Sequence, residues 1–312
     1  MDGNNGGSRS PSSRIAKPLR VEFDRLTSTG KASWNASGAR HVQSEGVLHV
    51  LVGSGRGCVL QGNSPPPLVL LPLRGRVHLT DGDSTRIIRP GEMFVADSSK
   101  RLQVFSSGAA LWITVVAPAF VWRQLFDATM PASIADPVLL PATHTTTREI
   151  RRAAVHLARD ASRRSGKPEA IASALRFAML VLDLQSEFAS LIKRCPGRTL
   201  AQRRGVFLRL QRVYHSMQSN SDFDLGVAGF ARAANYSSCH FVRTFRAVYG
   251  ETPHAVVMEQ RLRRALRLIE DTELSITEVA RACGFDDRCA FARAFKKRFH
   301  KTATAVRERR ES

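Results

Sequence analysis

The sequence predicts a multidomain chain. An N-terminal all-β, barrel-like domain with following helices precedes a C-terminal all-α domain of two helix-turn-helix units joined by a long helix. Three observations carry this expectation. Short β-prone runs punctuated by turn residues occupy roughly residues 18–118. Helical periodicity takes over after Pro118. The C-terminal region contains itself twice.

The chain has 312 residues, enough for about two domains. A formal charge of +20 and a pI near 11.1 suggest a polyanionic partner: DNA, RNA or an acidic membrane surface. Of the 47 basic residues 39 are Arg, a bias that a GC-rich genome also produces, so composition alone leaves the partner open. Five cysteines (58, 195, 239, 283, 289) form no CxxC pair and no Cys/His spacing suited to zinc. Their odd count and wide scatter suggest reduced thiols in a cytoplasm. Residues 1–17 are expected to form a disordered tail and have no apolar core of a signal peptide. The longest apolar stretch, 109–122, is shorter than the ~20 residues of a spanning helix and contains Pro118. It reads as a buried strand running into a turn, with no membrane segment.

Residues 18–120 make the β domain. "PLVLLPLRGRVHL" gives two apolar runs around an Arg-Gly break. Asp81-Gly82 sits between two β-prone stretches as a hairpin signal, and Pro90-Gly91 turns the chain before Met93–Ala96. Leu102–Phe105 and Ala110–Val116 complete a sandwich or barrel pattern. Residues 121–197 read as a helical linker or dimerisation region, with helices over 148–162 and 168–193. The second is apolar around much of its circumference and must be covered on more than one side, by the core or by another subunit. "CPGRT" at 195–199 is a boundary, with Thr199 as a cap.

Residues 198–307 make the last domain, and 308–312 are expected to fray. "FARAANYSSCHFVRTFR" begins at Phe230 and "VARACGFDDRCAFARAFK" at Val279. The first halves align at an offset of 49 and the second halves at 50, so the extra residue falls in a turn. Each copy reads helix, tight turn, helix, with Asn235 or Gly284 supplying a left-handed turn residue. Ser275-Ile276-Thr277-Glu278 is a capping box, and Asp286 or Asp287 caps the helix after it. Thr252-Pro253 starts the connecting helix, about 254–271.

In each second helix, aromatics four apart face inward: Phe241 and Phe245 in one copy, and Phe291, Phe295 and Phe299 in the other. The opposite faces carry Cys239, Val242, Arg243 and Arg246, and Cys289, Ala292, Arg293 and Lys296, with Arg288 and Lys297 beside them. Small residues flanked by Arg suit a DNA major groove. Arg forks onto guanine, small apolar groups touch a thymine methyl, and Lys and Arg hold phosphate. A single basic face would read as merely solvated; two at matched positions read as double-stranded DNA recognition. Cys239 and Cys289 read as small base contacts, with a redox switch as the alternative.

These residues resemble the AraC/XylS family of bacterial transcription regulators, most densely in "SITEVARACGFDDRCAFARAFKKRF". The resemblance covers about residues 203–307. It implies base reading by Cys239, Val242, Arg243, Arg288, Cys289 and Arg293, with phosphate contacts from Arg246, Lys296 and Lys297. The family usually has Gly where His300 stands, and often Pro and an aromatic where Ala303 and Val306 stand. These departures bear on the packing of the terminal segment rather than on DNA binding. "LRGRVHLTDGDSTRIIRPGEMFVADSSKRLQVF" resembles the cupin-like regulatory domain of many members. That implies a barrel able to bind a small effector, helices that support a homodimer, and contact with RNA polymerase in a cytoplasmic regulator. His41, His49 and His78 stand alone with no His-x-His pair, so no metal, cofactor or enzyme activity is expected. Effector residues stay unassigned, Trp34, His49, His78 and Trp112 included. The alternative reading is a ligand-independent adaptor whose barrel mediates only protein contacts.

Overall fold

A computed structural model describes residues 19–26, 31–34, 46–62, 66–81, 84–96, 102–129, 139–163, 168–218 and 226–311. The expected tail at 1–17 lies outside the described residues.

Eleven strands among the described residues form two open sheets. The six-stranded sheet runs β1 (Arg20–Leu26), β3 (Val47–Gly55), β10 (Ala110–Val116), β5 (Leu68–Arg74), β8 (Glu92–Ala96) and β11 (Ala142–Thr145). The five-stranded sheet runs β2 (Lys31–Trp34), β4 (Val59–Gly62), β9 (Leu102–Phe105), β6 (Val77–Asp81) and β7 (Ser84–Ile88). The closed barrel implied by resemblance is therefore corrected to two sheets, neither of which closes among the described residues. The hairpin signal holds: β6 and β7 pair antiparallel with Asp81 opposite Ser84.

Side-chain alternation explains the unbroken apolar runs. Val69, Leu71, Met93, Val95, Ile113 and Val115 face a helical layer. Their neighbours Leu68, Leu70, Phe94 and Trp112 face the second sheet with Leu60, Leu79 and Val104. A sheet buried on both faces has no polar side to show water. Trp112 lies opposite Gly53, where a β-carbon would come within 2.1 Å of the indole.

The helical layer is α1 (Ala119–Thr129), α2 (Arg148–Arg163) and α3 (Pro168–Leu184). The expected turn after β10 is instead α1, begun by Pro118, whose carbonyl accepts from Val121 and Trp122. It buries Val121, Trp122, Leu125 and Phe126 on the sheet. The expected helix over 168–193 breaks at a 3-10 turn, Gln185–Glu187, before α4 (Phe188–Arg194). Gln185 is buried there and both accepts from Leu140 N and donates to Leu140 O. Region 121–197 is thus not wholly helical: β11 inside it pairs with β8.

The C-terminal helices are α5 (Leu200–Gln218), α6 (Val227–Ala233), α7 (Ser238–Tyr249), α8 (Pro253–Asp271), α9 (Ile276–Ala282), α10 (Arg288–Phe299) and α11 (Ala303–Glu311). Thr199 accepts from Gln202 N at the start of α5, as expected of a cap. The last helix runs to Glu311, past residue 308, from which the sequence predicts a frayed end. Ala303 is buried and Val306 packs beside it, while Arg307 donates to Leu274 O.

Candidate nucleic-acid interface

Two helix pairs of matching form flank α8. In the first, α6 ends at Ala233 and Asn235 adopts φ 59° before α7. In the second, α9 ends at Ala282 and Gly284 adopts φ 75° before α10. Both turns place a left-handed residue at the same register, 49 apart, where Gly and Asn carry the least steric cost.

The aromatic faces anchor each second helix. Phe241, Phe245, Phe291 and Phe295 are each 0 % exposed. Their rings meet in series: Phe241 to Phe245 at 5.5 Å, and Phe285, Phe291, Phe295 and Phe299 at 5.1, 5.4 and 4.7 Å. Phe299 is only half-buried, short of the fully inward position expected of it. With the aromatics turned in, the opposite face must turn out. Cys239, Arg243 and Arg246 on α7 are exposed, as are Arg288, Cys289, Arg293, Lys296 and Lys297 on α10. Val242 is half-buried and packs on the core beneath α7, which leaves only part of its side chain for a base.

The bonding of the cations separates two classes. The side chains of Arg243, Arg246, Arg288, Arg293, Lys296 and Lys297 make no hydrogen bond or ion pair among the described residues. Arg298, on the same helix, is committed: its Nε and Nη2 donate to the two carboxylate oxygens of Glu259 on α8 at 2.5 and 2.7 Å. Those hydrogen bonds hold the Glu259 carboxyl below its ordinary range. Arg261 of α8 likewise donates to Gly284 O at the second turn. Thus Arg298 and Arg261 fix how the second pair sits on α8, whereas the six cations above are uncommitted.

Sequence reasoning missed a stack beside α7. The Arg209 guanidinium lies 5.6 Å over the Tyr236 ring, and Tyr236 stacks on His240 at 4.9 Å. No periodic signal marks it, because Arg209 comes from α5. Missed too was how α5 joins the sheets. Arg86 of β7 lies 2.7 Å from Nε2 of buried His215. Guanidinium can only donate, so His215 accepts as a neutral ring. Burial, then Arg86, holds its pKa well below normal. Gln211 donates to Pro141 O at 2.9 Å, tying α5 to the start of β11.

Among the described residues no group of three or more His, Cys, Asp or Glu could hold a metal ion. No helix among them is long and apolar enough to cross a membrane.

Comparison with known proteins points to the same region. Residues 230–309 match the helix-turn-helix domain family. The chain is 26% identical over 275 residues to the HTH-type transcriptional regulator MtrA of Neisseria gonorrhoeae, covering 83% of this chain and 85% of that one. It is 36% identical over 97 residues to the HTH-type transcriptional regulator GlxA of Rhizobium meliloti, covering 31% and 30% of the two chains. A solved AraC-type DNA-binding domain protein from Chromobacterium violaceum aligns at 27% identity and a TM-score of 0.31, over 34% of this chain and 96% of that one. The C-terminal part of this chain is therefore similar to a helix-turn-helix domain, and most of the chain is similar to an HTH-type transcriptional regulator.

Proposed function

We propose that the chain is a sequence-specific transcription regulator in which each helix pair is one helix-turn-helix unit. In this reading α7 and α10 enter successive major-groove segments on one face of the duplex, about 34 Å apart. Cys239, Val242 and Arg243 read one box and Arg288, Cys289 and Arg293 the other. Arg246, Lys296 and Lys297 hold phosphates. The observation that carries the reading is the set of exposed, unpaired cations at matched places on two helices whose other faces are pinned by buried aromatics. A homodimer, contact with RNA polymerase and a cytoplasmic location belong to the same proposal. So does the absence of catalysis.

The N-terminal half is the regulatory part. For the described part of the sheets, an apolar interior supports the adaptor reading. The described side chains between them, Leu51, Leu70, Leu79, Phe94 and Trp112 among them, form one continuous buried cluster. A container for a ligand needs space that its own side chains do not fill.

The test is recovery of genomic fragments by the purified full-length protein, followed by sequencing. A recurring motif of two short boxes about one helical turn apart is expected. Diffuse recovery that disappears at moderate salt would mean phosphate binding alone and would end the sequence-specific reading.

A further inference from the structure

A pocket of about 320 Å³ opens where the regulatory and DNA-binding parts meet, walled by β11, α4, α5 and the C-terminal end of α7. Its volume is that of a small-molecule site. Two rings form one wall: Tyr214 and Tyr249 stack at 4.4 Å with 11° between their planes. Phe188 supplies a third aromatic.

The polar groups include one carboxylate, that of Glu187. Tyr249 donates its hydroxyl to Gln211 Oε1 at 2.9 Å, and the Gln211 amide donates onward to Pro141 O. His144 Nδ1 lies 3.3 Å from a carboxylate oxygen of Glu187. The His144 side chain is 4% exposed, and its Nε2 has no hydrogen-bond partner. Burial lowers the His144 pKa, and the opposing pull of Glu187 does not reverse this. A neutral imidazole leaves the Glu187 charge uncancelled. With Nδ1–H turned to Glu187, Nε2 is an acceptor. No Lys or Arg is among the described residues that line the pocket, in a chain with 47 basic residues against 27 acidic. The Glu187 side chain is 64% exposed and reaches solvent at the mouth.

A carboxylate beside aromatic faces, with no Lys or Arg among the described lining residues, matches a positively charged ligand with an apolar body. We propose that this junction pocket binds a small organic cation, an amine or quaternary ammonium carrying an aromatic or aliphatic group, and that occupancy sets the hold of the regulatory part on α7. The coupling follows from the walls. Tyr249 is the last residue of α7, and β11 is hydrogen-bonded to β8 of the sheet. One ligand would therefore touch both the sheet and the helix assigned to base reading. This coupling rests on the regulator reading above; the binding does not.

Binding is tested first, on the full chain, by calorimetric titration with phenethylamine and benzyltrimethylammonium, with phenylacetate as the anionic control. Expected is saturable one-to-one binding of at least one cation, weakened at least tenfold by Glu187→Gln, and no binding of phenylacetate. Failure of both cations to saturate, an unchanged affinity in Glu187→Gln, or equal binding of phenylacetate would overturn the site. The second measurement is affinity for the recovered duplex with and without the bound cation. A change of at least threefold, absent in Glu187→Gln, is expected, and an unchanged affinity would overturn the coupling. If no duplex is preferred under either condition, the regulator reading fails while the titration still decides the site.

Discussion

The two helix pairs are copies in sequence, yet they are held by different means. The second pair is locally self-sufficient. Ser275 and Glu278 make a complete capping box on α9, and Asp287 accepts from Cys289 N and Ala290 N at the start of α10. Among the described residues its buried core, from Leu262 to Ala303, draws only on α8 to α11 and the turn residues between them. The first pair has neither cap: Gly226 and Ser237 make no side-chain cap bonds. Its core instead recruits Leu140, Ala142, Phe188, Ile192 and Cys195 from the regulatory part. A helix terminus without side-chain partners depends on tertiary packing for its position. The difference teaches that the second pair is a fixed module and the first is placed by the rest of the chain, where the proposed signal would reach it.

Removing one aromatic anchor from each pair tests that contrast with the largest effect. Phe291→Ala and Phe241→Ala each delete a fully buried ring and should cost about 3–5 kcal/mol. The spread of the damage should differ. Hydrogen exchange of the full chain should show Phe291→Ala loosening α8 to α11 alone, and Phe241→Ala loosening β11 and α4 as well. Identical footprints would break the distinction.

The reading heads come next. Arg243→Ala and Arg293→Ala should each cost about 1–3 kcal/mol of discrimination, each in only one of the two boxes. Fluorescence anisotropy on duplexes scrambled box by box checks this; loss spread evenly over both boxes would mean phosphate contact. Lys297→Ala should weaken all duplexes alike and shallow the salt dependence.

Caps give a smaller and sharper test. Asp287→Ala should cost about 1 kcal/mol, because two backbone donors lose their partner. Ser237→Ala, at the equivalent place in the first pair, should cost close to nothing by the same thermal denaturation. Equal losses would show that the first pair is capped in solution after all.

The internal repeat makes the interface legible in the sequence. A helix face must alternate with its anchors, so fixing Phe291 and Phe295 inward places Arg293 and Lys296 outward. The capping box, the hairpin at Asp81 and the turns at Asn235 and Gly284 are local chemistry, and local chemistry is what a single sequence records. What escapes it is assembled from distant segments. Strand β11 is four residues, Ala-Thr-His-Thr, with too little pattern to oppose the helical texture around it. The break at Gln185 depends on Leu140, 45 residues away, which uses both ends of the side-chain amide. The junction pocket joins His144, Glu187, Gln211 and Tyr249, and no spacing rule links them. Resemblance to barrel-bearing relatives also carries a closure that the strand pairings do not make.

The smallest predicted effect bears on the ends of the two reading helices. Gly250 after α7 and His300 after α10 both take left-handed backbone, φ 81° and 58°, and both donate to the carbonyl four residues back at 2.9 Å. Only one of them is the residue type suited to that conformation. The exposed His300 side chain makes no hydrogen bond among the described residues, so replacing it loses no contact of that kind. His300→Gly should therefore stabilise the second pair, by about 0.5–1 kcal/mol. Relief of left-handed strain outweighs the extra freedom that Gly gives the unfolded chain. Gly250→Ala should destabilise the first pair by a similar amount. No atom lies within 4 Å of the added β-carbon, so this loss would be purely conformational. Opposite signs in thermal denaturation would place the cost in the backbone. A destabilised His300→Gly would mean that the imidazole makes a contact in solution that offsets its strained conformation.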